Sequence, residues 1–115
     1  MDKDERLRKS ERLLARGDYR KVYDLGERRS LPFFTVFILK TDRDRGRLGI
    51  TVTKQIGSAV VRNRCKRLVR ESFRKNKYLI SQPVDLVFNV KRAMLTADYA
   101  AIDEQLSKFL GHLGL

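Results

Sequence analysis

The sequence predicts an α+β fold, a two-layer sandwich of helices on a small sheet. Three segments have strand character. Phe33 to Leu39 and Val84 to Val90 are apolar and rich in aromatic and β-branched residues, and Arg47 to Lys54 sets Leu48, Ile50 and Val52 against Thr51 and Thr53. Other segments repeat apolar residues three and four apart, the spacing of one helix face. The resulting order, helix-strand-strand-helix-strand-helix, suits helices laid against a sheet. The chain has 115 residues, 42% of them hydrophobic, which suffices for one compact domain spanning 1–115 and is too short for two.

Residues 1 to 16 are dense in charge, with only Leu7, Leu13 and Leu14 to bury, so residues 1–10 are expected to form a loose basic arm. Tyr19, Val22 and Tyr23 fall at i, i+3 and i+4, which predicts a helix over 17–25 with Gly26 as the glycine that ends it. Pro32 introduces the first strand. The link from Thr41 to Gly46 is short and polar, so the economical connection to the second strand is an antiparallel hairpin. Ser58 can cap a helix running to about Lys75, and Pro83 precedes the third strand. Thr96 is the expected cap of a last helix in which Tyr99, Ile102, Leu106, Phe109 and Leu113 repeat along one side.

Lys and Arg number 26 against 14 Asp and Glu, a formal charge of +12. Such an excess repels itself unless a polyanion neutralises it, so the expected partner is RNA, DNA or an anionic membrane. No apolar run approaches the roughly 20 residues that span a bilayer, and the first residues lack the apolar core of a signal peptide. A cytoplasmic protein is expected. Cys65 is the only cysteine and His112 the only histidine, which leaves no intramolecular disulfide and no cysteine- or histidine-based metal or catalytic cluster. Cys65 is read as a small core residue and His112 as solvated.

The informative segment runs from Gly57 to Lys77, with eight basic residues and one acidic, net +7 of the chain's +12. At roughly 100° per residue, Val61, Cys65, Leu68, Val69, Ser72 and Phe73 share one side, and Asn63, Lys66, Arg67, Arg70 and Arg74 the other. A merely solvated face would mix charge signs. Here Arg62, Lys66, Arg70 and Arg74 are like charges at i+4 intervals, each pair mildly destabilising, which favours a binding surface. Guanidinium forks hold phosphate oxygens bidentately, and Arg outnumbers Lys five to three in this segment, which suits RNA. Glu71 is placed to pair with Arg67 or Lys75.

The first strand is apolar on both faces, Phe34, Val36 and Ile38 on one and Phe33, Phe37 and Leu39 on the other, so something must cover the second face. Tyr19, Tyr23 and Phe37 can line a groove and stack unpaired bases, or they can be core; the residues alone leave both readings open.

The run from Arg47 to Glu71, with Arg62-Asn63-Arg64 at its centre, closely resembles the strand and basic helix of the bacterial ribonuclease P protein component family. The resemblance extends to Asp18-Tyr19-Arg20-Lys21-Val22-Tyr23, Gly26 and the aromatic strand, and more loosely to the last strand and helix. Two departures stand out: tyrosines replace phenylalanines common in the first-helix motif, and Cys65 sits where a larger aliphatic is usual.

The resemblance implies an accessory subunit of a ribonucleoprotein endoribonuclease that removes the 5′ leader of precursor tRNA. Catalysis would belong to the RNA subunit and its bound Mg2+, with no catalytic side chain and no cofactor in this chain. Lys54, Arg62, Asn63, Arg64, Lys66, Arg67, Arg70 and Arg74 would contact the catalytic RNA, and Tyr19, Tyr23 and Phe37 would line a cleft for the single-stranded leader. The implied partners are ribonuclease P RNA and precursor tRNA, with no membrane and no obligate protein partner. The implied fold has a mixed sheet in which the strands flanking the basic helix run parallel through a left-handed crossover, where statistics alone favour a right-handed one.

The competing reading is a non-enzymatic ribosomal or RNA-assembly protein using the same helix, which would need no aromatic cleft. A DNA-reading helix would carry more base-contacting polar residues, and a membrane-surface helix would have a wider apolar side.

Overall fold

The structure, a computed structural model, describes residues 7–113. Helix α1 spans Arg16–Leu25, strands β1, β2 and β3 span Glu27–Ser30, Phe34–Lys40 and Leu48–Thr51, helix α2 spans Ala59–Asn76, strand β4 spans Val84–Val90 and helix α3 spans Tyr99–His112. The four strands form one mixed sheet in the order β1-β2-β4-β3. β2 pairs antiparallel with β1 and β4, and β3 pairs parallel with β4 across the α2 crossover. The α+β fold with a small mixed sheet is thus as the sequence predicts.

The expected hairpin does not form, because β4 lies between β2 and β3. β4 is buried at every position except Asn89, and the strand with most apolar surface on both faces gains most from the centre of the sheet. β3 is left on an edge and is shorter than expected, giving way to a turn at Lys54–Ile56. β1 was not legible in the sequence. Its residues, Glu27-Arg28-Arg29-Ser30, are all exposed and show no apolar alternation, and their charges suit an outer strand that must not pair with another molecule.

One sheet face carries the main core. Phe34, Val36 and Ile38 of β2 and Val84, Leu86, Phe88 and Val90 of β4 meet Cys65, Val69 and Phe73 of α2 and Ile102, Leu106, Phe109 and Leu110 of α3. Edge-on ring contacts from Phe34 to Phe88 (5.5 Å) and from Phe88 to Phe109 (6.0 Å) tie sheet to helix. The helices are locked to each other by a polar clamp: Ser72, fully buried, donates to Asp103 Oδ1 at 2.7 Å, and Asn76 Nδ2 donates to the same oxygen at 2.9 Å. On the opposite face α1 supplies part of the cover that β2 demands, with Leu13, Val22 and Val87 buried among Tyr19, Tyr23, Phe37 and Leu39.

The helix ends show two different capping chemistries. Ser58 caps α2 as expected, its Oγ accepting from the Val61 N–H at 3.4 Å. Thr96 does not cap α3. Its hydroxyl donates to the Ala93 carbonyl within a 3-10 turn, and Asp98 takes the N-cap, accepting from the Ala101 N–H at 2.9 Å with a carboxylate that also suits the positive end of the helix. Gly26 ends α1 without a left-handed turn, at φ −80° and ψ 159°. Glycine is needed there for proximity, since a Cβ would lie 2.5 Å from the Val22 carbonyl oxygen.

Of the expected loose arm, residues 1–6 lie outside the described residues, and 7–10 are held. Leu7 packs on the core, a 3-10 turn spans Lys9–Glu11, and the Leu13 N–H donates to the Leu48 carbonyl at 2.9 Å. Glu11 is the anchor. It is buried, accepts from the Arg8 N–H at 3.2 Å and is ion-paired with Lys77 at 3.2 Å and Arg45 at 3.7 Å. Glu11 adds no apolar signal to this charge-dense stretch, so its docking is not legible in the sequence.

Candidate nucleic-acid interface

Burial along α2 follows the periodicity read from the sequence. Cys65, Val69, Ser72 and Phe73 are buried, Val61 and Leu68 pack beside them, and Asn63, Arg64, Arg67 and Arg70 are exposed. Burial pushes the Cys65 thiol up, against a smaller pull from Arg64, as suits a packed and unreactive cysteine.

The eight cations of this segment divide into two groups. Arg74 holds Glu71 with its guanidinium at 2.7 and 3.3 Å, Lys75 lies 3.7 Å from the same carboxylate, and Lys77 is bound to Glu11. Glu71 therefore pairs with Arg74 and Lys75 and not with Arg67, and its carboxyl is held below the usual range chiefly by the Arg74 hydrogen bond. Arg62, Arg64, Lys66, Arg67 and Arg70 have no acidic partner among the described residues. Arg62 Nε is buried without an acceptor. Lys54, exposed in the turn ahead of α2, extends this field of one sign. Such a field costs self-repulsion that a polyanion relieves.

Tyr19, Tyr23 and Phe37 are brought together on the other face of the sheet, all three partly exposed. The Tyr23 and Phe37 rings meet edge to face at 4.8 Å and 84°. The Tyr23 hydroxyl donates to Asn89 Oδ1 at 2.9 Å and lies 2.8 Å from Thr51 Oγ1. Tyr19 lies on Gly49, where a Cβ would come within 2.7 Å of its ring, so the glycine is what allows the ring onto the sheet. Burial raises the Tyr19 phenol above its ordinary value, opposed by a hydrogen bond from the Ile50 backbone and by the charge of Arg70. Both readings of these rings hold in part: they pack on Leu13, Val22 and Val87, and they keep exposed surface.

The two surfaces meet at the β3 edge. A cleft of about 230 Å³ is lined there by Leu13, Tyr19 and Ile50 together with the cationic Arg12, Lys66 and Arg70. Tyr19 thus shares one cleft with Lys66 and Arg70 of α2. Asn89 and Thr51 were not singled out from the sequence, and nothing local marks them, because their meeting with Tyr23 depends on strand register. Among the described residues no three His, Cys, Asp or Glu gather as a metal site, and no helix is long and apolar enough to cross a membrane.

Fold and surface together define a small basic α+β protein that presents an unneutralised cationic helix next to a partly open aromatic cleft. Residues 7–114 match the family model described as Ribonuclease P, and the chain belongs to the ribonuclease P protein component family. It is 42% identical over 104 residues to the ribonuclease P protein component of Syntrophus aciditrophicus, covering 90% of this chain and 87% of that one. To the protein component of Clostridium novyi it is 33% identical over 111 residues, covering 95% and 98%. The solved RNase P protein of Thermotoga maritima matches with a TM-score of 0.80 at 33% identity over 88% of this chain and 96% of its own. That of Staphylococcus aureus matches with a TM-score of 0.79 at 28% identity over 89% and 93%. Membership implies an RNA partner within a tRNA-processing endoribonuclease complex.

Proposed function

We propose that this chain is the RNA-anchored, leader-binding subunit of ribonuclease P. The observation that carries the reading is the division of charge on α2. Arg74, Lys75 and Lys77 are held by Glu71 and Glu11, whereas Arg62, Arg64, Lys66, Arg67 and Arg70, with Asn63 among them and Lys54 alongside, have no protein counter-charge among the described residues. These groups bind the phosphates of the catalytic RNA, and Arg62, whose Nε lacks an acceptor, forms the inner contact. Arg74 keeps its Glu71 bond and adds charge to the edge of that surface. Tyr19, Tyr23 and Phe37 receive the unpaired 5′ leader of precursor tRNA.

In this reading the chain supplies positioning, and hydrolysis is performed by the RNA subunit with Mg2+ that the RNA holds. The protein then acts in the cytoplasm, where tRNA precursors are made, and needs no further protein partner. The test is cleavage of a precursor tRNA by a bacterial ribonuclease P RNA at low magnesium, with and without this protein. Restored cleavage is the expected result, and no difference between the two reactions would refute the reading.

A further inference from the structure

The segment that precedes α1 carries Arg8, Lys9, Arg12 and Arg16 and a single carboxylate, Glu11. That carboxylate is buried. Lys77 donates to both of its oxygens at 3.2 Å, and Arg45 lies 3.7 Å away. Lys77 follows α2 and Arg45 lies in the link between β2 and β3, so one side chain fastens the N-terminal segment to two distant parts of the fold. Taking an ion pair out of water costs about as much as its attraction returns, so a buried pair contributes placement more than stability.

What Glu11 places is its neighbour. Arg12 has an extended backbone, φ −118° and ψ 138°, in which successive side chains point opposite ways. Glu11 and Leu13 are both buried, and Arg12 is exposed between them. Leu13 is in turn held to β3 by its N–H on the Leu48 carbonyl. Arg12 is therefore pinned on both sides and aimed outward, where it lines the cleft at the β3 edge with Lys66 and Arg70 of α2.

Those three cations come from two separate segments, and none has an acidic partner among the described residues. Their mutual repulsion pushes the N-terminal segment off α2, and the Glu11 ion pair opposes it. A phosphate seated among them converts the repulsion to attraction.

We propose that Glu11 is a positioning residue of the catalytic-RNA surface, latching the N-terminal segment so that Arg12 joins Lys66 and Arg70 around one phosphate of that RNA. This rests on the reading of α2 above. It adds Arg12 as a contact from outside the helix and Glu11 as the group that sets it.

The test is affinity for ribonuclease P RNA alone, without tRNA, across a salt series. Arg12→Ala should bind roughly three- to tenfold more weakly at low salt, the weight of one net contact, with a slope of log affinity on log salt lower by up to about one. Glu11→Gln, which removes no cation, should lower affinity and slope in the same direction, and its Leu13 amide should exchange hydrogen faster than in wild type. The Glu11→Gln/Arg12→Ala variant should lose little more than either change alone, since both act through one contact. Glu11→Asp, with the charge kept and the reach shortened, should fall between wild type and Glu11→Gln, and it carries the same comparison if Glu11→Gln does not fold. A wild-type slope in Arg12→Ala, or in a folded Glu11 variant with a fast Leu13 amide, overturns the proposal. So do losses that add in full, or losses seen only when precursor tRNA is present. The underlying reading fails separately, if Arg62→Ala/Arg67→Ala leaves the slope unchanged.

Discussion

Arg47 closes on Asp85 through three hydrogen bonds, from its backbone N–H at 3.0 Å and from Nε and Nη2 at 3.3 and 2.8 Å. Asp85 is 3% exposed on the central strand, and the remaining guanidinium nitrogen reaches Asp18 of α1 at 3.2 Å. The pair thus ties the edge strand β3 to β4 and fastens the helix that carries Tyr19 and Tyr23. Asp85 hydrogen bonding holds the guanidinium above its ordinary pKa, so Arg47 keeps its charge.

Removing one partner leaves a buried charge uncompensated, which is more costly than losing both. Arg47→Met should destabilise the fold by about 3 kcal/mol, and Arg47→Met/Asp85→Leu should recover a large part of that loss. Urea denaturation midpoints of the two variants decide it. A double variant no more stable than the single would mean that the geometry here matters more than the stranded charge.

The Arg62→Ala/Arg67→Ala variant should fold normally and bind the catalytic RNA more weakly. Its log affinity should fall less steeply with log salt, since each lost phosphate contact removes up to about one counterion from the slope. Both residues lack a protein counter-charge among the described residues, so little folded-state stability is lost with them. Arg74→Ala should flatten the slope less, because that guanidinium is already engaged by Glu71. Titrations across a salt series measure all three proteins, and a slope unchanged in the double variant would show a face that is only solvated.

The helices were legible because burial on α2 and α3 has the helical period, and the positions read as apolar on α2, such as Cys65, Val69 and Phe73, are the buried ones. Strand order was not legible. Alternation tells which face of a strand is apolar and says nothing about its neighbour, so the β2–β3 hairpin looked economical until β4 claimed the centre. β1 has no apolar pattern and exists only as a partner of β2. Glu71 had several cations in reach, and rotamers chose Arg74. The polar contacts of the cleft join residues 28 and 66 positions apart, Tyr23 to Thr51 and Tyr23 to Asn89, and no local signal encodes them.

Cys65→Val should leave stability within about 1.5 kcal/mol of wild type and RNA binding unchanged, because the thiol packs as a small apolar group beneath the cationic face. Thiol-specific labelling of the native protein should be slow, as burial holds the thiol in its protonated form. Rapid labelling, or loss of processing in a stably folded Cys65→Val, would contradict the packing role.

The aromatic cleft separates a ribonuclease P subunit from a protein that merely glues folded RNA, because only the former has use for a leader site. If Tyr23 and Phe37 hold an unpaired leader, Tyr23→Ala or Phe37→Ala should cost about 1 to 3 kcal/mol in affinity for precursor tRNA. Mature tRNA has no leader and should lose almost nothing. The salt slope should stay near wild type, since neither change removes a cation and stacking releases few counterions. Variants of the cationic face of α2 should instead weaken assembly with the catalytic RNA whichever tRNA is present. The two rings also pack on Val22 and Val87, so each variant must first show a native circular dichroism spectrum and a cooperative melt. The decisive quantity is the ratio of precursor to mature tRNA affinity in the reconstituted complex. A ratio that falls by roughly five- to 150-fold in the ring variants, with the Arg62→Ala/Arg67→Ala ratio unmoved, assigns the leader to the cleft. Equal losses for both tRNAs would return these rings to the core and leave the charged helix as the only RNA contact.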